Sequence, residues 1–316
     1  MAVHEYTFGP VPSRRLGQSL GINNIPAKTC SYDCVYCQVG GTTRMQADRC
    51  HCYRAEEIFL EVQRRIDKLR ATSQKIDYLT FVPEGEPTLD MNLGEAIERL
   101  RLLEIPIGVI TNSSLMWRED VKETLCKADW VSVKIDTVEE KLWRKVNRPH
   151  KKLIMEAILE GMVVFADKFS GRLVTETMLI AGVNDREESI CRIADFLGRM
   201  QPQIAYLSIP TRPPAVRWVR SPDEMHLNRA FQIVSQKVKR AEYLIGYEGN
   251  AFAFTGDIEK DLLSITAVHP MRRDAVESLL SRASASHEVV EKLLSGGLLV
   301  KTHHNGHDYF LRRLKG

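Results

Sequence analysis

Strand-like apolar runs alternate with amphipathic helical stretches along most of this chain, and no other feature constrains its fold as strongly. The runs that resemble buried strands end in turn or polar residues and occupy 77–87, 105–114, 129–137, 172–182 and 204–214. A shorter segment, 21–26, is a candidate first strand. Between the strands, apolar residues recur at helical spacing over 55–70, 91–103 and 227–241. Strands that alternate with helices in this way predict a parallel sheet.

The number of these strands predicts an α/β fold in the form of a partial (β/α)6 TIM-like barrel. Active sites of such barrels lie at the carboxyl ends of the strands, and each predicted strand here ends in polar or glycine-rich sequence. Side chains alternate between the two faces of a strand, so Lys134 and Asp136 are expected to point into the barrel. The same alternation places Glu84 and Glu176 in the interior.

The last part of the chain has a different pattern. It contains three helical stretches, at 258–268, 271–281 and 285–295. Two alternating runs then flank Asn305-Gly306, a pair of residues that strongly favours a hairpin turn. Three helices followed by a hairpin predict a small winged-helix domain over 251–316, after a barrel domain over 1–250.

Charge does not decide what the C-terminal domain contacts. The whole chain has a formal net charge of +3, which neither indicates nor excludes a nucleic-acid partner. The third predicted helix carries Glu288 and Glu291 against Lys292, whereas a helix that reads a DNA groove is expected to be basic. A packing or protein-contact role and a nucleic-acid role both remain open.

The chain is expected to be soluble and cytoplasmic, without a membrane role. Its first twenty residues contain Pro10, Pro12 and two arginines instead of an apolar core with a cleavage site. No run approaches the roughly 20 apolar residues that are needed to span a bilayer.

Three cysteines lie within eight positions, at Cys30, Cys34 and Cys37. In a reducing compartment such a cluster indicates metal or redox chemistry rather than disulfides. A structural zinc ion normally takes four ligands, and the nearest further thiols are those of Cys50 and Cys52. Iron–sulfur clusters are held by cysteine thiolates, and a cubane held by three of them keeps one iron open. The spacing therefore favours an iron–sulfur cluster, with zinc as the alternative.

The spacing Cys30-x3-Cys34-x2-Cys37, with Tyr36 before the last cysteine, resembles the signature of the radical S-adenosylmethionine (radical SAM) superfamily. Further segments are similar to a prokaryotic branch of wyosine-synthase-like iron–sulfur oxidoreductases, namely FGPVPSRRLGQSLGI, GEPTL, TNSSL, NRPH, AGVND and RPP. The resemblance covers most of residues 6–245, and many members of the branch also carry a C-terminal winged helix.

This resemblance implies a radical SAM enzyme with a [4Fe–4S] cluster on the three cysteines and S-adenosylmethionine on the open iron. It implies reductive cleavage of S-adenosylmethionine to a 5′-deoxyadenosyl radical that abstracts a substrate hydrogen. The implied electron donor is reduced flavodoxin or ferredoxin. A tRNA nucleoside is the leading substrate, and a peptide, a protein or a small metabolite is the rival.

The resemblance also implies a set of cofactor-binding residues: Tyr36, Gly85, Glu86, Asn112, Asp136 and Val183. Gly85 allows close approach of the backbone, and Glu86 holds the loop or accepts a hydrogen bond from the methionyl ammonium. Asn112 is expected to contact the methionyl or ribose groups, and Asp136 a ribose hydroxyl. Val183 and Tyr36 are expected to flank the adenine.

Lys134 and Glu176 are the candidate catalytic residues. A buried ammonium must pair with an anion, lose its proton or reach a ligand. An ion pair of Lys134 with Glu176 or Glu84 is one interpretation, and a nucleophilic lysine or a clamp for a substrate carboxylate is the other. In the branch that the chain resembles, small residues usually replace both Lys134 and Glu84, which suggests that the two charges are coupled.

Three weaker interpretations complete the analysis. Arg212 follows the sixth predicted strand, and Arg148 lies in the basic segment 143–150. Both are candidates for steering an anionic substrate, while a solvated basic rim is the alternative. Cys50 and Cys52 are either free thiols or ligands of a second cluster. A redox regulator that senses through the cluster and binds nucleic acid through the winged helix is the alternative function, and only the enzyme would form 5′-deoxyadenosine.

Overall fold

The computed structural model describes residues 6–246 and 249–313. Its strands are β1 (Thr7–Ser13), β2 (Gly17–Ile22), β3 (Thr29–Cys30), β4 (Arg44–Met45), β5 (Tyr78–Phe81), β6 (Ile107–Thr111), β7 (Trp130–Lys134), β8 (Arg172–Met178), β9 (Ile204–Ser208), β10 (Ala241–Leu244), β11 (Met271–Arg272), β12 (Leu299–His304) and β13 (His307–Arg312). Its helices are α1 (Ala55–Ala71), α2 (Leu93–Leu100), α3 (Glu119–Leu125), α4 (Glu140–Val146), α5 (Met155–Lys168), α6 (Glu187–Met200), α7 (Glu224–Ser235), α8 (Ile258–Val268), α9 (Arg273–Arg282) and α10 (Glu288–Ser295). None of these helices combines the length and the apolar character needed to cross a bilayer.

Eight strands form one sheet in the order β1-β2-β5-β6-β7-β8-β9-β10. The strands from β2 to β10 in this order run parallel, and β1 pairs with β2 in the antiparallel direction. From β2 to β10, at least one helix lies in each connection between successive parallel strands. The predicted α/β class with a mostly parallel sheet is confirmed, and each of the five long strand predictions contains one observed strand.

Both edges of the sheet differ from the prediction. The sequence predicts no strand before residue 21, but β1 forms an antiparallel edge beside β2. The helix predicted to extend to residue 241 is wrong at its end, because α7 stops at Ser235 and Ala241 begins β10. Ala241 lies opposite Ala205 of β9, so pairing with a neighbouring strand decides the state of a segment whose apolar spacing also fits a helix.

The two faces of β7 have different neighbours, as strand alternation predicts. Val131 and Val133 are buried in the main hydrophobic core between the sheet and the helices. Ser132 and Lys134 point to the opposite face, where both side chains make hydrogen bonds with polar groups. This polar face leads to the carboxyl ends of the strands, where the cysteines lie.

The C-terminal part contains the three helices and the hairpin that the sequence predicts. Helices α8, α9 and α10 are followed by the hairpin of β12 and β13. The hairpin and β11, which precedes α9, form a three-stranded antiparallel sheet in the order β11-β13-β12. Asn305 and Gly306 have φ angles of 48° and 76°. A two-residue hairpin turn of type I′ requires positive φ at both positions.

The C-terminal part docks on the β1 edge of the sheet. Phe8 of β1 belongs to the same buried cluster as Phe252 and Leu262. Asp261 of α8 is fully buried, and its Oδ1 accepts a hydrogen bond of 3.1 Å from Arg65 of α1. Apolar packing and a buried ion pair therefore join the two parts of the chain.

Candidate active site

Three cysteines line one cavity at the carboxyl ends of the parallel strands. Cys30 ends the short strand β3, and Cys34 and Cys37 follow in the loop after it. The same cavity is lined by the 82–86 segment after β5, by the 110–112 segment at the end of β6 and by Lys134 at the end of β7. The structure thus brings together residues from the cysteine loop and from three strands.

Amide groups contact two of the three sulfur atoms. Asn112 Nδ2 donates to Cys30 Sγ at 3.4 Å, and Asn147 Nδ2 donates to Cys34 Sγ at 3.5 Å. Burial raises the pKa of Cys30 and Cys37, and it raises the pKa of Cys34 to about 12. Thiolates in such a place need a cation beside them, and a coordinated iron supplies that charge.

The arrangement of the thiols fits a cluster better than a single metal ion. Within residues 6–246 and 249–313, no group of three or more His, Cys, Asp or Glu side chains is arranged to hold one metal ion. In a cubane, each cysteine binds a different iron, so the sulfur atoms need not converge on one point. Three cysteines lining a shared cavity meet that requirement, and the residues present therefore fit a [4Fe–4S] cluster.

The loop after β5 is held against the cysteine loop. Gly85 has no space for a side chain, because an added Cβ would lie 2.0 Å from the Thr29 carbonyl oxygen. Glu86 is buried, and its Oε1 accepts hydrogen bonds from the Thr88 backbone N–H, the Thr88 hydroxyl and the Thr111 hydroxyl. Its Oε2 accepts a hydrogen bond of 2.7 Å from the Asn112 N–H. The hydrogen bonds of the Glu86 carboxylate thus join its own loop to the end of β6.

Asp136 also has protein partners. Its Oδ2 accepts hydrogen bonds from the Tyr36 hydroxyl and, at 2.6 Å, from Asn147 Nδ2. Its Oδ1 accepts a hydrogen bond of 2.9 Å from the Met178 N–H. The sequence reasoning did not single out Asn147, although the NRPH segment that contains it supplied part of the family resemblance. Asn147 links the Asp136 carboxylate to the sulfur of Cys34.

Lys134 pairs with Glu176 and not with Glu84. Lys134 Nζ lies 2.8 Å from Glu176 Oε1, and Arg15 NH1 lies 2.8 Å from Glu176 Oε2. The Ser208 hydroxyl donates to Glu176 Oε1 at 3.0 Å. Burial lowers the pKa of Lys134, but the carboxylates of Glu176 and Asp136 outweigh burial and raise it above the ordinary value. Lys134 is therefore an ammonium at neutral pH.

Burial raises the pKa of the Glu176 carboxyl, but Lys134 and Arg15 outweigh it and hold the pKa well below the ordinary range. Lys134 Nζ also lies 4.9 Å from the ring centre of Tyr36, within reach of a cation–π contact. The interior of the sheet thus holds one carboxylate between two cations, with an aromatic ring on the cavity side.

The side chain of Glu84 brings a buried oxygen without a hydrogen-bond partner among the described residues to this cavity. Its side chain lines the cavity, the residue is 8% exposed, and Oε2 is buried without a hydrogen-bond partner in the described part of the chain. Burial raises the pKa of Glu84 to about 7, although Arg312 and Lys28 act in the opposite direction. A buried polar group without a partner indicates a place where a bound molecule makes the missing contact.

We expect the stability of the cofactor-free chain to fall with rising pH because of Glu84. Its folded pKa of about 7 lies above the ordinary value of 4.5, so the folded state holds the proton more tightly than the unfolded state. Stability is then lost from about pH 5 to pH 8, by about 3 kcal/mol in total. Urea unfolding of wild type and Glu84→Gln should agree near pH 5, and the variant should be more stable at pH 8. Glu160→Gln, at an exposed position, is the control, and equal pH profiles of wild type and Glu84→Gln would contradict the prediction.

Three further predicted residues, like Asp136 and Glu176, are not among the residues that line the cysteine cavity. Val183 is buried in an apolar cluster, and Tyr36 packs against this cluster. Arg148 is half exposed and lies 3.4 Å from Asp33. Arg212 donates a hydrogen bond of 2.7 Å to Gln38 and contacts His269 of the C-terminal part. None of the three is among the residues that line the cavity.

Comparisons with known proteins place this geometry in a family. The sequence profile of the radical SAM superfamily matches residues 24–194, which include the three clustered cysteines. A UPF0026 protein of Methanocaldococcus jannaschii is 47% identical over 310 residues, which cover 98% of this chain and 96% of that protein. The match extends through the C-terminal part.

Two solved structures share the fold. A radical SAM methyltransferase from Sphaerobacter thermophilus has a TM-score of 0.52 at 18% identity, covering 72% of this chain and 66% of its own. TYW1 with a lysine-pyruvate adduct bound has a TM-score of 0.55 at 15% identity, covering 70% of this chain and 74% of its own. At such identities the likeness concerns the fold.

Proposed function

This chain belongs to the radical SAM superfamily and to the UPF0026 family, and we propose that it performs radical chemistry in the cavity lined by Cys30, Cys34 and Cys37. It is an enzyme of the radical SAM class, whose members bind a [4Fe–4S] cluster and S-adenosylmethionine. We assign the three cysteines as the ligands of the cluster. When bound, the reduced cluster and S-adenosylmethionine supply a 5′-deoxyadenosyl radical that abstracts a hydrogen atom from the substrate.

One observation carries this proposal: the three half-buried thiols share their cavity with the loop that contains Gly85 and with the end of β6. The close contact of Gly85 with Thr29 keeps that loop against the cysteine loop, so both can face one ligand. Because protein donors already contact both oxygens of the Glu86 carboxylate, we assign it to hold this loop rather than to accept a hydrogen bond from the methionyl ammonium. The Asn112 side chain lines the cavity beside Cys30, and we propose that it contacts S-adenosylmethionine after exchanging its hydrogen bonds with Ser31 and Ser114.

Asp136 and Val183 do not line the cavity, and we propose that they reach the cofactor beside Tyr36. Tyr36 donates to Asp136, and Asn147 joins Asp136 to Cys34. We propose that Asp136 orients Tyr36 and Asn147 and reaches a ribose hydroxyl after one of these contacts is exchanged. Val183 packs in the cluster that Tyr36 adjoins, which suits an apolar wall for adenine.

Lys134 is proposed to hold an anionic group rather than to act as a nucleophile. A lysine that forms a Schiff base must lose its proton, and Glu176 opposes that loss by raising the pKa of Lys134. The TYW1 structure contains a lysine-pyruvate adduct, so a carboxylate-bearing group near a lysine is a reasonable comparison. In this chain the Lys134 ammonium lines the cavity and offers a charge-assisted hydrogen bond to such a group.

A tRNA nucleoside is the proposed substrate, with a peptide, a protein or a small metabolite as the alternative. Arg148 and Arg212 are proposed to attract the phosphates or carboxylates of an incoming substrate. Reduced flavodoxin or ferredoxin is the proposed electron donor. We also propose a cytoplasmic location, because the seven cysteines are free thiols and a reducing compartment keeps them so.

The domain organisation is part of the proposal. Residues 1–250 are assigned to a partial barrel and residues 251–316 to a winged-helix domain. The C-terminal part contacts the barrel near the cavity, since Gln38 Nε2 donates to the Val268 carbonyl oxygen at 2.9 Å and the Tyr309 hydroxyl donates to the Thr211 carbonyl oxygen at 2.9 Å. These contacts favour a closing and packing role for the winged helix over reading of a DNA groove.

An anaerobic assay tests the proposed function. The reconstituted chain is reduced with S-adenosylmethionine present, and iron, sulfide and 5′-deoxyadenosine are quantified with and without cellular tRNA. We expect about four irons per chain and formation of 5′-deoxyadenosine. A rate that increases with tRNA supports the tRNA nucleoside, and an unchanged rate favours the alternative substrates. Bound zinc without cleavage would contradict the assignment of the cysteines.

A further inference from the structure

A second pair of thiols lies outside the cysteine cavity. Cys50 Sγ and Cys52 Sγ are 2.8 Å apart, and both residues are half-buried. The remaining cysteines, Cys126 and Cys191, are exposed. The Cys50–Cys52 contact is therefore a feature that the cluster ligands do not explain.

The backbone holds this pair of thiols in place. The Cys50 N–H donates to the Leu89 carbonyl oxygen at 2.8 Å, and the Cys50 carbonyl oxygen accepts a hydrogen bond of 2.9 Å from the Met91 N–H. The Cys52 N–H donates to Asp90 Oδ1 at 3.4 Å. Both cysteines are thus fixed to the segment that follows the Glu86 loop, and their sulfur atoms meet without a bond between them.

The spacing of the sulfur atoms favours a sulfur–sulfur bond over a shared metal. Two thiolates on one tetrahedral zinc lie about 3.8 Å apart when each Zn–S bond is about 2.3 Å. A disulfide requires about 2.05 Å, so closing the bond takes a movement of less than about 1 Å. In addition, no third His, Cys, Asp or Glu in the described ranges joins the two thiols in a group arranged for a single metal ion.

We propose that Cys50 and Cys52 form a reversible dithiol–disulfide site whose reaction partner is a low-molecular-weight disulfide such as glutathione disulfide. The Cys50 thiolate attacks one sulfur of the added disulfide, breaks its S–S bond and releases one thiolate. The Cys52 thiolate then attacks Cys50 Sγ, forms the Cys50–Cys52 bond and releases the second thiolate. The two cysteine protons end on the two released thiols, and the two electrons that the cysteines give up reduce the added disulfide.

The surroundings of the two sulfur atoms set the order of attack. Gln46 Nε2 donates to Cys50 Sγ at 3.4 Å, so a side-chain donor lies beside this sulfur. Burial and the hydrogen bond with Cys50 raise the pKa of the Cys52 thiol. Cys50 is therefore the attacking thiol, and Cys52 is the resolving thiol that acts within a small ring.

Mass spectrometry of the full chain tests this site directly. The reconstituted protein is equilibrated anaerobically with mixtures of reduced and oxidised glutathione, and free thiols are then blocked with iodoacetamide. Trypsin cleaves after Arg49 and Arg54 and releases both cysteines in one peptide, residues 50–54. In oxidising mixtures we expect this peptide to be two hydrogen masses lighter and without alkyl groups, and dithiothreitol should restore two alkyl groups.

Matched variants separate the proposal from its alternatives. Cys52→Ser should accumulate a glutathione adduct on Cys50, because the resolving thiol is missing. The double variant Cys50→Ser/Cys52→Ser should retain the iron content of the wild type. The proposal is overturned if the 50–54 peptide stays doubly alkylated in mixtures that modify the exposed Cys126, or if the double variant loses iron. Neither readout depends on cleavage of S-adenosylmethionine, so failure of the proposed function is recognised separately.

Discussion

Cys34→Ala is expected to reduce formation of 5′-deoxyadenosine to background, a loss of at least about a thousandfold for an enzyme of ordinary rate enhancement. Cys34 is one of three thiols around the cavity, and its sulfur is the one that Asn147 contacts. Without its thiolate, one iron of the cluster has no protein ligand, and the neighbouring side chains offer no substitute sulfur. Cys30→Ala and Cys37→Ala are expected to have the same effect for the same reason.

The measurement combines iron and sulfide analysis with chromatographic detection of 5′-deoxyadenosine. Cys126→Ala is the matched control, because this thiol is exposed at the end of α3 and far along the chain from the cysteine loop. It should retain iron and activity at the wild-type level. Full iron content and activity in Cys34→Ala would remove the three cysteines from their assigned role.

The positions of the long strands along the chain were predictable because they depend on local patterns. Five buried strands and their intervening helices follow from apolar periodicity alone, which the structure confirms. The edges of the sheet were not predictable in this way. β1 contains Pro10 and Pro12, which donate no hydrogen bonds and so argue against a strand, but an edge strand tolerates them. Its partner on the other face is the C-terminal part, through Phe8, and that contact is far away in sequence.

The site shows the same division between local and long-range information. The spacing of Cys30, Cys34 and Cys37 is local, so the sequence indicates metal or redox chemistry. The partner of Lys134 depends on register: it lies opposite Glu176 on the neighbouring strand β8, whereas Glu84 follows β5, two strands away. Both glutamates face the interior, and strand alternation alone cannot choose between them.

A sequence motif does not show which side chains already form hydrogen bonds within the protein. Glu86 and Asp136 occur where the resemblance expects cofactor contacts, but protein donors already surround both carboxylates. The reverse holds for Glu84, whose Oε2 has no hydrogen-bond partner among the described residues although the motif gives it no role. The hydrogen bonds within the protein therefore favour a structural role for Glu86 and Asp136 and leave Glu84 as a residue able to contact a ligand.

Glu176→Gln is expected to destabilise the chain by about 3–5 kcal/mol, because it removes the carboxylate that lies between two largely buried cations, Arg15 at 12% and Lys134 at 18% side-chain exposure. In this variant Lys134 and Arg15 remain close together without their shared partner. Lys134→Met should cost less, since Arg15 and the Ser208 hydroxyl still satisfy Glu176. Urea unfolding at pH 7 measures the difference. Lys152→Met, which breaks an exposed pair with Asp48, is the control and should change stability by less than about 1 kcal/mol.

The pH dependence distinguishes this ion-pair cluster from simple packing. The folded pKa of Glu176 is depressed, so its contribution to stability is present above the ordinary pKa of 4.5 and is lost as the pH falls toward the folded pKa. Wild type and Glu176→Gln should therefore converge in stability in acid, and parallel pH profiles would contradict the ion-pair account.

Lys134→Met should still form 5′-deoxyadenosine, because the cluster ligands are intact. Loss of substrate turnover with retained cleavage would then place the Lys134 ammonium on the substrate, which is the role that its position in the cavity predicts.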